Sequence, residues 1–147
     1  MDVAEKDGRP PKLGEDVFVI RPHVWQEMLN HCQQHFPLEA CGLLSGRNRC
    51  AETIWKMDNT AASPNAFRMD EQQLQIVFNE MKKRGHDLVG IYHSHPAAPP
   101  VPSPLDILYA AYEDVFYIIV SLANQKPAVG CFRIVGKKPY SSPYVVG

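Results

Sequence analysis

The chain has 147 residues, of which 45% are hydrophobic and 21% charged, and its formal net charge is -1. This composition predicts a globular chain with enough apolar material for a core of its own, and it gives no electrostatic reason to expect a nucleic-acid partner. No apolar run approaches the roughly 20 residues that a membrane-spanning helix needs, so we expect no membrane association. Residues 1–9 lack the pattern of a signal peptide, which leads us to expect a cytoplasmic protein.

The N-terminal 15 residues differ in composition from the rest of the chain. They are polar and contain two glycines and two prolines, Gly8, Pro10, Pro11 and Gly14. Such a pattern is typical of segments that add nothing to a core. We therefore predict a flexible leader over residues 1–15 and one domain over residues 16–147.

The first predicted elements are a short strand at residues 16–20 and a helix that begins at Pro22 and ends near His35. Apolar residues repeat along one side of this helix: Val24, Met28, Leu29 and Cys32. His31 and His35 are four residues apart and could share a metal ion, but no glutamate lies between them as in His-Glu-x-x-His proteases. We interpret both as solvated, and we expect His23 and His86 at the surface.

Two paired strands are predicted next, at residues 38–45 and 51–57, with a turn between them. Residues 67–69 are a candidate edge strand. Asp70 then caps a helix that ends at Gly85, with apolar residues at helical spacing: Leu74, Val77, Phe78 and Met81. The four cysteines form no Cys-x-x-Cys pair, which predicts reduced thiols packed in the core.

A buried strand is predicted at residues 88–91, and it leads directly into His93 and His95. On extended backbone, side chains two residues apart project from the same face, so the two imidazoles should converge. Five prolines stiffen the segment that follows: Pro96, Pro99, Pro100, Pro102 and Pro104. Ser103 and Pro104 predict the start of a helix with Asp106 in its first turn, and its apolar side would comprise Leu105, Leu108, Tyr109 and Tyr112.

His93, His95 and Asp106 would together offer three metal ligands and leave one coordination position open. Catalytic zinc sites have this arrangement, whereas structural sites usually fill all four positions with protein ligands. Water activated by such an ion needs a proton acceptor. Glu39 is a candidate because apolar neighbours raise the pKa of a carboxylate towards the useful range. Taken alone, without the histidines downstream, Glu39 would be interpreted as an exposed residue at the start of a strand.

Three further strands complete the predicted fold, at residues 115–122, 128–135 and, at the edge, 144–146. The run at 115–122 is apolar throughout, which is typical of a strand covered on both faces. Together the elements predict an α/β (α+β) fold with a single mixed central β-sheet and about three flanking helices.

The chain contains the motif His93-x-His95, followed after seven residues by Ser103 and after two more by Asp106. Upstream of it, Glu39 lies in the sequence Pro-Leu-Glu-Ala-Cys-Gly-Leu-Leu. This combination resembles the JAMM (MPN-plus) zinc metallopeptidase family, in particular its compact prokaryotic members. The resemblance implies a cytidine-deaminase-like JAMM/MPN architecture, one Zn²⁺ ion on His93, His95 and Asp106, and Glu39 as general base. It also implies a catalytic role for Ser103 in stabilising the oxyanion, although an N-cap role explains Ser103 equally well.

The resemblance further implies hydrolysis of the amide or isopeptide bond after the C-terminal Gly-Gly tail of a ubiquitin-like or sulfur-carrier protein. The chain has little room between Asp106 and the strand at residue 115 for the second insertion with which eukaryotic relatives hold ubiquitin. We therefore expect a small carrier as the partner.

Two other functions remain open at this point. Two histidines and a carboxylate also describe the ligand set of non-haem iron enzymes, but that alternative gives no role to Glu39 or Ser103. A non-catalytic MPN-type interaction module is the other alternative. Against it, all five motif positions carry side chains that are competent for catalysis.

Overall fold

The computed structural model describes residues 17–147, so the predicted leader and the predicted domain start at residue 16 lie outside the described residues. Over the described part of the chain, eight strands form one mixed sheet and three helices pack around it. This confirms the predicted fold class. Within residues 17–147, no helix is long and apolar enough to cross a membrane.

The elements follow one another as β1 (Phe18–Ile20), α1 (Pro22–His35), β2 (Cys41–Arg47), β3 (Cys50–Met57), α2 (Glu71–Lys83), β4 (Asp87–His95), α3 (Pro104–Tyr109), β5 (Phe116–Ser121), β6 (Ala128–Val135), β7 (Lys138–Ser141) and β8 (Tyr144–Val146). The strand order is β7-β6-β5-β4-β2-β3-β1-β8. β4 pairs with β2 in antiparallel and with β5 in parallel orientation. The strand that carries the histidines is therefore hydrogen-bonded on both sides.

The sheet has a separate apolar core on each face. α1 covers one face, where Met28 packs with Tyr92 and Ile118. α2 covers the other, where Met81 packs with Ile91. Because strand residues alternate between faces, His93 and His95 project on the same side as Ile91, beneath α2 and α3.

The boundaries of the two long helices agree with the sequence prediction. α1 begins at Pro22 and ends at His35. The Asp70 side chain accepts a hydrogen bond from Gln73 N and caps α2, and Gly85 follows the helix with a φ of 68°. Proline at a first helical position and glycine after a last one are the favoured residues there, which explains why both ends are readable from the sequence.

Two predicted elements differ from the structure, and one strand of the structure has no predicted counterpart. Residues 67–69 form no strand; Phe67 and Met69 instead pack as an irregular segment against the core under α2. β7 was not predicted, whereas the edge strand β8 was. α3 ends already at Tyr109, and its apolar side is exposed. The exposed fractions are 47% for Leu105, 58% for Leu108 and 76% for Tyr109.

His31 is a further correction, since it is only 4% exposed and not solvated. Its Nδ1 atom lies 2.6 Å from the Tyr92 hydroxyl, and burial, followed by the charge of His35, lowers its pKa to about 4. Sequence spacing alone could not show that α1 turns this position towards the sheet. His35 and His23 are exposed as predicted, and His86 is half-buried against Ser45. All four cysteines are free thiols, as predicted.

Candidate metal centre

His93 and His95 occupy the end of β4 and point to the same side of the sheet. Both side chains are buried, and their Nε2 atoms lie 3.1 Å apart. The strand continues through both residues because β5 pairs with it as far as His95. This pairing fixes the alternation that the sequence prediction assumed.

Asp106 reaches these imidazoles from the first turn of α3. Its Oδ2 atom lies 3.0 Å from each of the two histidine Nε2 atoms. Ser103 N donates a hydrogen bond to the same carboxylate and Ser103 Oγ accepts one from Asp106 N, which completes a capping box. Burial alone would raise the pKa of Asp106, but the hydrogen bonds with both histidines outweigh it and hold the pKa well below its usual range.

The three donor atoms fit a metal ion. They are two nitrogens and one oxygen, and they lie 3.0–3.1 Å from one another. Ligand atoms at zinc distances in a tetrahedral site would be roughly 3.3 Å apart. Within the described residues, these three form the one group of histidine, cysteine or acidic side chains arranged to hold an ion.

Contacts behind the imidazoles keep both rings in place. His95 Nδ1 lies 2.9 Å from the carbonyl oxygen of Pro99, in the proline-rich segment. The ring of His93 stacks on Phe67, with centroids 4.7 Å apart and an angle of 29° between planes. Such outer contacts orient metal-binding histidines and fix which nitrogen is free to coordinate.

The two histidines differ in how readily they take up a proton in the metal-free site. Burial lowers the pKa of His93. Burial acts in the same direction on His95, but hydrogen bonds with Asp106 and Pro99 outweigh it and raise that pKa. Since metal ions bind the neutral imidazole, protons compete with metal mainly at His95.

Glu39 lies just ahead of β2 and is only 3% exposed. Its Oε1 atom is buried and has no hydrogen-bond partner within the described residues. Burial raises the pKa of Glu39 to about 7, while the charges of His95 and Asp106 act in opposite directions. The carboxylate is therefore close enough to interact with the candidate ligands and can exchange a proton near neutral pH.

Two segments hold the backbone at Glu39. Glu39 N donates to Ser63 O at 2.9 Å, and Glu39 O accepts from Asn59 Nδ2 at 3.0 Å. Ala40 N donates to Ser94 Oγ at 2.8 Å, on the opposite face of β4 from the histidines. This contact gives Ser94 a structural role.

A groove of about 490 Å³ opens beside His93 and Asp106. Its lining is mainly apolar and includes Phe67, Met69, Leu105, Tyr109 and Tyr112. A cavity of about 590 Å³ lies at the other end of β4, around Asp87, and includes none of the five predicted site residues. The smaller groove is thus the one that leads to the candidate metal centre.

Sequence analysis missed Asn59 and Phe67, which touch Glu39 and His93. Both lie in an irregular segment between β3 and α2, where periodicity carries no information. Asparagine is common in such turns for local reasons, so its type alone did not mark Asn59 as part of the site.

A sequence model of prokaryotic homologs of the JAB domain matches residues 21–135, which is well over half of the chain. The chain belongs to this family. Its membership confirms the resemblance to JAMM proteins, and specifically to compact prokaryotic ones.

Relatives of this JAB-family chain include named peptidases. It is 35% identical to the CysO-cysteine peptidase of Mycobacterium tuberculosis over 122 residues, which is 81% of this chain and 84% of the relative. It is also 35% identical to the desampylase of Haloferax volcanii over 88 residues, or 58% of this chain and 63% of the relative. This JAB-family chain is accordingly a hydrolase of the metallopeptidase type, which speaks against a purely non-catalytic module.

Solved structures agree with the family fold. A protein of Desulfitobacterium hafniense, 34% identical, superposes with a TM-score of 0.82 over 89% of this chain and 93% of its own. A JAB1/MPN domain protein from Archaeoglobus fulgidus, 18% identical, has a TM-score of 0.59 over 88% of this chain and 98% of its own. The second similarity supports the JAB1/MPN fold alone.

Proposed function

We propose that this protein is a zinc-dependent peptidase that hydrolyses the amide or isopeptide bond after the C-terminal Gly-Gly tail of a ubiquitin-like or sulfur-carrier protein. The observation that carries the proposal is the meeting of His93, His95 and Asp106 within 3.0–3.1 Å, beside a buried glutamate. For the substrate, support comes from the JAMM resemblance and from a relative whose name describes a peptidase acting on CysO-cysteine.

His93, His95 and Asp106 would hold one zinc ion. When bound, the ion lowers the pKa of a water molecule and polarises the carbonyl that is attacked. Glu39 takes the proton from the attacking water and passes it to the leaving amine. Burial raises the pKa of Glu39 to about 7 in the metal-free site, and this desolvation favours a carboxyl group that can both accept and release a proton.

Ser103 is assigned a second task in this proposal. Its Oγ accepts a hydrogen bond from Asp106 N and so caps α3. The hydroxyl hydrogen is not used in that bond and can be donated to the oxyanion that forms at the attacked carbonyl. Ser103 can therefore act as cap and as oxyanion donor without moving.

The groove beside the metal centre is the proposed contact for the carrier. A Gly-Gly tail is thin enough to reach the buried ligands, whereas apolar residues of the carrier body would meet Leu105 and Tyr109. The structure offers no long insertion between Asp106 and β5, since α3 ends at Tyr109 and β5 begins at Phe116. A small carrier fits this compact site better than a ubiquitin chain.

A cytoplasmic location stays a prediction.

The decisive experiment is mass spectrometry of carrier proteins with short C-terminal extensions after incubation with the zinc-loaded protein. Cleavage directly after Gly-Gly is the expected result. Glu39→Gln should lower kcat by about 10²–10⁴-fold, the range typical of a general base, and leave one zinc ion per chain. His95→Ala should lose zinc and activity together.

Two results would contradict the proposal. Retained turnover by Glu39→Gln would remove Glu39 from the mechanism, and full zinc content in His95→Ala would remove His95 from the ligand set. A third result would favour the non-haem iron alternative: the protein, purified without added metal, contains iron and not zinc, and it shows no cleavage that a chelator abolishes.

A further inference from the structure

The side chain of Asn59 uses its whole hydrogen-bonding capacity within the described structure. Nδ2 donates to the carbonyl oxygens of Glu39 and Ala66, each at 3.0 Å. Oδ1 accepts from the backbone N–H of Ala61 at 3.0 Å and of Arg68 at 3.1 Å. One amide group thus connects peptide groups from three separate places in the chain.

Three of the bonded residues, Glu39, Ala66 and Arg68, belong to the metal centre or lie next to it in the chain. Glu39 is the proposed base. Ala66 and Arg68 lie on either side of Phe67, whose ring stacks on His93. The base and the aromatic ring behind the histidine are therefore tied to the same side chain, although 28 positions separate Glu39 and Phe67 in the sequence.

We propose that Asn59 is a positioning residue that sets Glu39 and Phe67 relative to the metal centre. This inference rests on the proposed role of Glu39 as the base. Glu39 precedes β2 and so has no ladder partner of its own, and its carbonyl and N–H are bonded instead to Asn59 and Ser63. Without the Asn59 bond, the Glu39 carbonyl would lose its partner, and the backbone there would be held by the Ser63 bond and by the bond from Ala40 N to Ser94 Oγ. A displacement of about 1 Å near reacting atoms can cost about 100-fold in rate.

A purely local role would require only part of these contacts. The bond from Ala61 N to Asn59 Oδ1 spans two residues and is an ordinary asparagine turn. The two bonds from Nδ2 reach over 20 and 7 residues and contribute nothing to that turn. Asn59→Asp separates the two roles, because it keeps both the size and the Oδ1 acceptor but replaces the donor group with an oxygen.

The test compares Asn59→Asp and Asn59→Ala with a matched control, Asn65→Ala. Asn65 lies in the same irregular segment and is exposed, and its Oδ1 accepts a hydrogen bond from the Ser63 hydroxyl. For both Asn59 variants we expect kcat on a cleavable carrier conjugate to fall about 10–100-fold, as is usual for outer contacts of metal sites. KM should stay within about twofold and zinc content at one per chain, and the control should match the wild type.

A second readout is independent of activity. In the metal-free protein, amide hydrogen exchange at Glu39 should accelerate in Asn59→Asp but not in Asn65→Ala. The lost donor leaves the Glu39 carbonyl without its partner and loosens the backbone there. If Asn59→Ala fails to fold, the Asn59→Asp rates and exchange decide the outcome.

A double-mutant cycle shows whether Asn59 acts through Glu39. In the Glu39→Gln background, Asn59→Asp should lower the residual rate no further, because coupled residues are not additive. Unchanged kcat in Asn59→Asp, a loss explained by missing zinc, or an equal loss in Asn65→Ala would overturn the inference. Failure of the proposed function is distinguishable, since it appears as retained turnover in Glu39→Gln whatever Asn59 does.

Discussion

Glu39 combines deep burial with a carboxylate oxygen that has no partner within residues 17–147. A buried polar atom left without a hydrogen bond typically costs about 1–3 kcal/mol. Stability alone gives no reason to keep such an atom, whereas the proposed role of Glu39 as the base that takes a proton from water does. The raised pKa of about 7 is the chemical counterpart of that cost, because both follow from removing the group from solvent.

His31 gives a stability prediction at the same scale. Burial lowers its folded-state pKa to about 4, against 6.5 in the unfolded chain, so the unfolded state binds more protons between these values. Stability should therefore fall as pH drops from about 6.5 to 4, by up to roughly 3 kcal/mol from this residue. His31→Gln cannot protonate but can still bond the Tyr92 hydroxyl.

The measurement is urea unfolding of the metal-free protein at both pH values. The wild type should lose more stability than His31→Gln over this range. Equal losses in the two proteins would show that His31 does not titrate as its burial implies.

At the scale of elements, α3 shows how one short helix can serve two purposes. Its first turn places Asp106 between the histidines. Of the residues in and just after it, Ile107 and Ala110 pack against the core, while Leu105 and Tyr109 line the groove. A helix of six residues cannot cover its own apolar side, so the apolar repeat found in the sequence faces solvent.

This geometry predicts that Tyr109 contributes to binding of the carrier and that its neighbour Leu108 does not. Tyr109→Ser should raise KM for a carrier conjugate about tenfold, equivalent to about 1.4 kcal/mol of lost contact, with kcat unchanged. A short peptide with a leaving group attached after its Gly-Gly, but with no carrier body, should show little change. Leu108→Ser is the matched control because Leu108 is exposed on the same helix but does not line the groove.

Steady-state kinetics on both substrates measure the effect. Equal KM changes in Tyr109→Ser and Leu108→Ser, or an equal effect on the short peptide, would argue against contact between the groove and the carrier.

At the scale of the whole molecule, the candidate centre depends on sheet assembly. β4 supplies two ligands, α3 the third, and the approach to β2 supplies Glu39. These segments meet because β4 pairs with both β2 and β5. An ion that binds this arrangement cannot bind the unfolded chain in the same way, so binding and folding are linked.

Metal removal should therefore lower thermal stability. Zinc at about 1,000 times its dissociation constant would stabilise the fold by about 4 kcal/mol. We expect a higher Tm for the zinc-loaded than for the chelator-treated wild type, and no such difference for His95→Ala. Equal Tm values with and without zinc in the wild type would contradict a site formed by folding, and calorimetry provides the measurement.

Features that depend on local chemistry were readable from the amino-acid sequence. Three elements carry such local signals, which do not depend on tertiary contacts: the proline at the start of α1, the Asp70 cap of α2 and the apolar run of β5. The spacing of His93 and His95 likewise predicts that they share a face, because alternation is a property of any strand.

Which surfaces are covered became evident from the folded chain and not from its sequence. It placed His31 against Tyr92, left the apolar side of α3 in solvent, and brought Asn59 to the backbone of Glu39 across 20 positions. Burial and long-range hydrogen bonds depend on which segments pack together, and short-range periodicity contains no record of that. The sequence motif therefore predicts the roles of Glu39 and Ser103. The fold shows the environment of each group: Glu39 is a desolvated carboxylate, and the Ser103 hydroxyl caps a helix beside the two imidazoles.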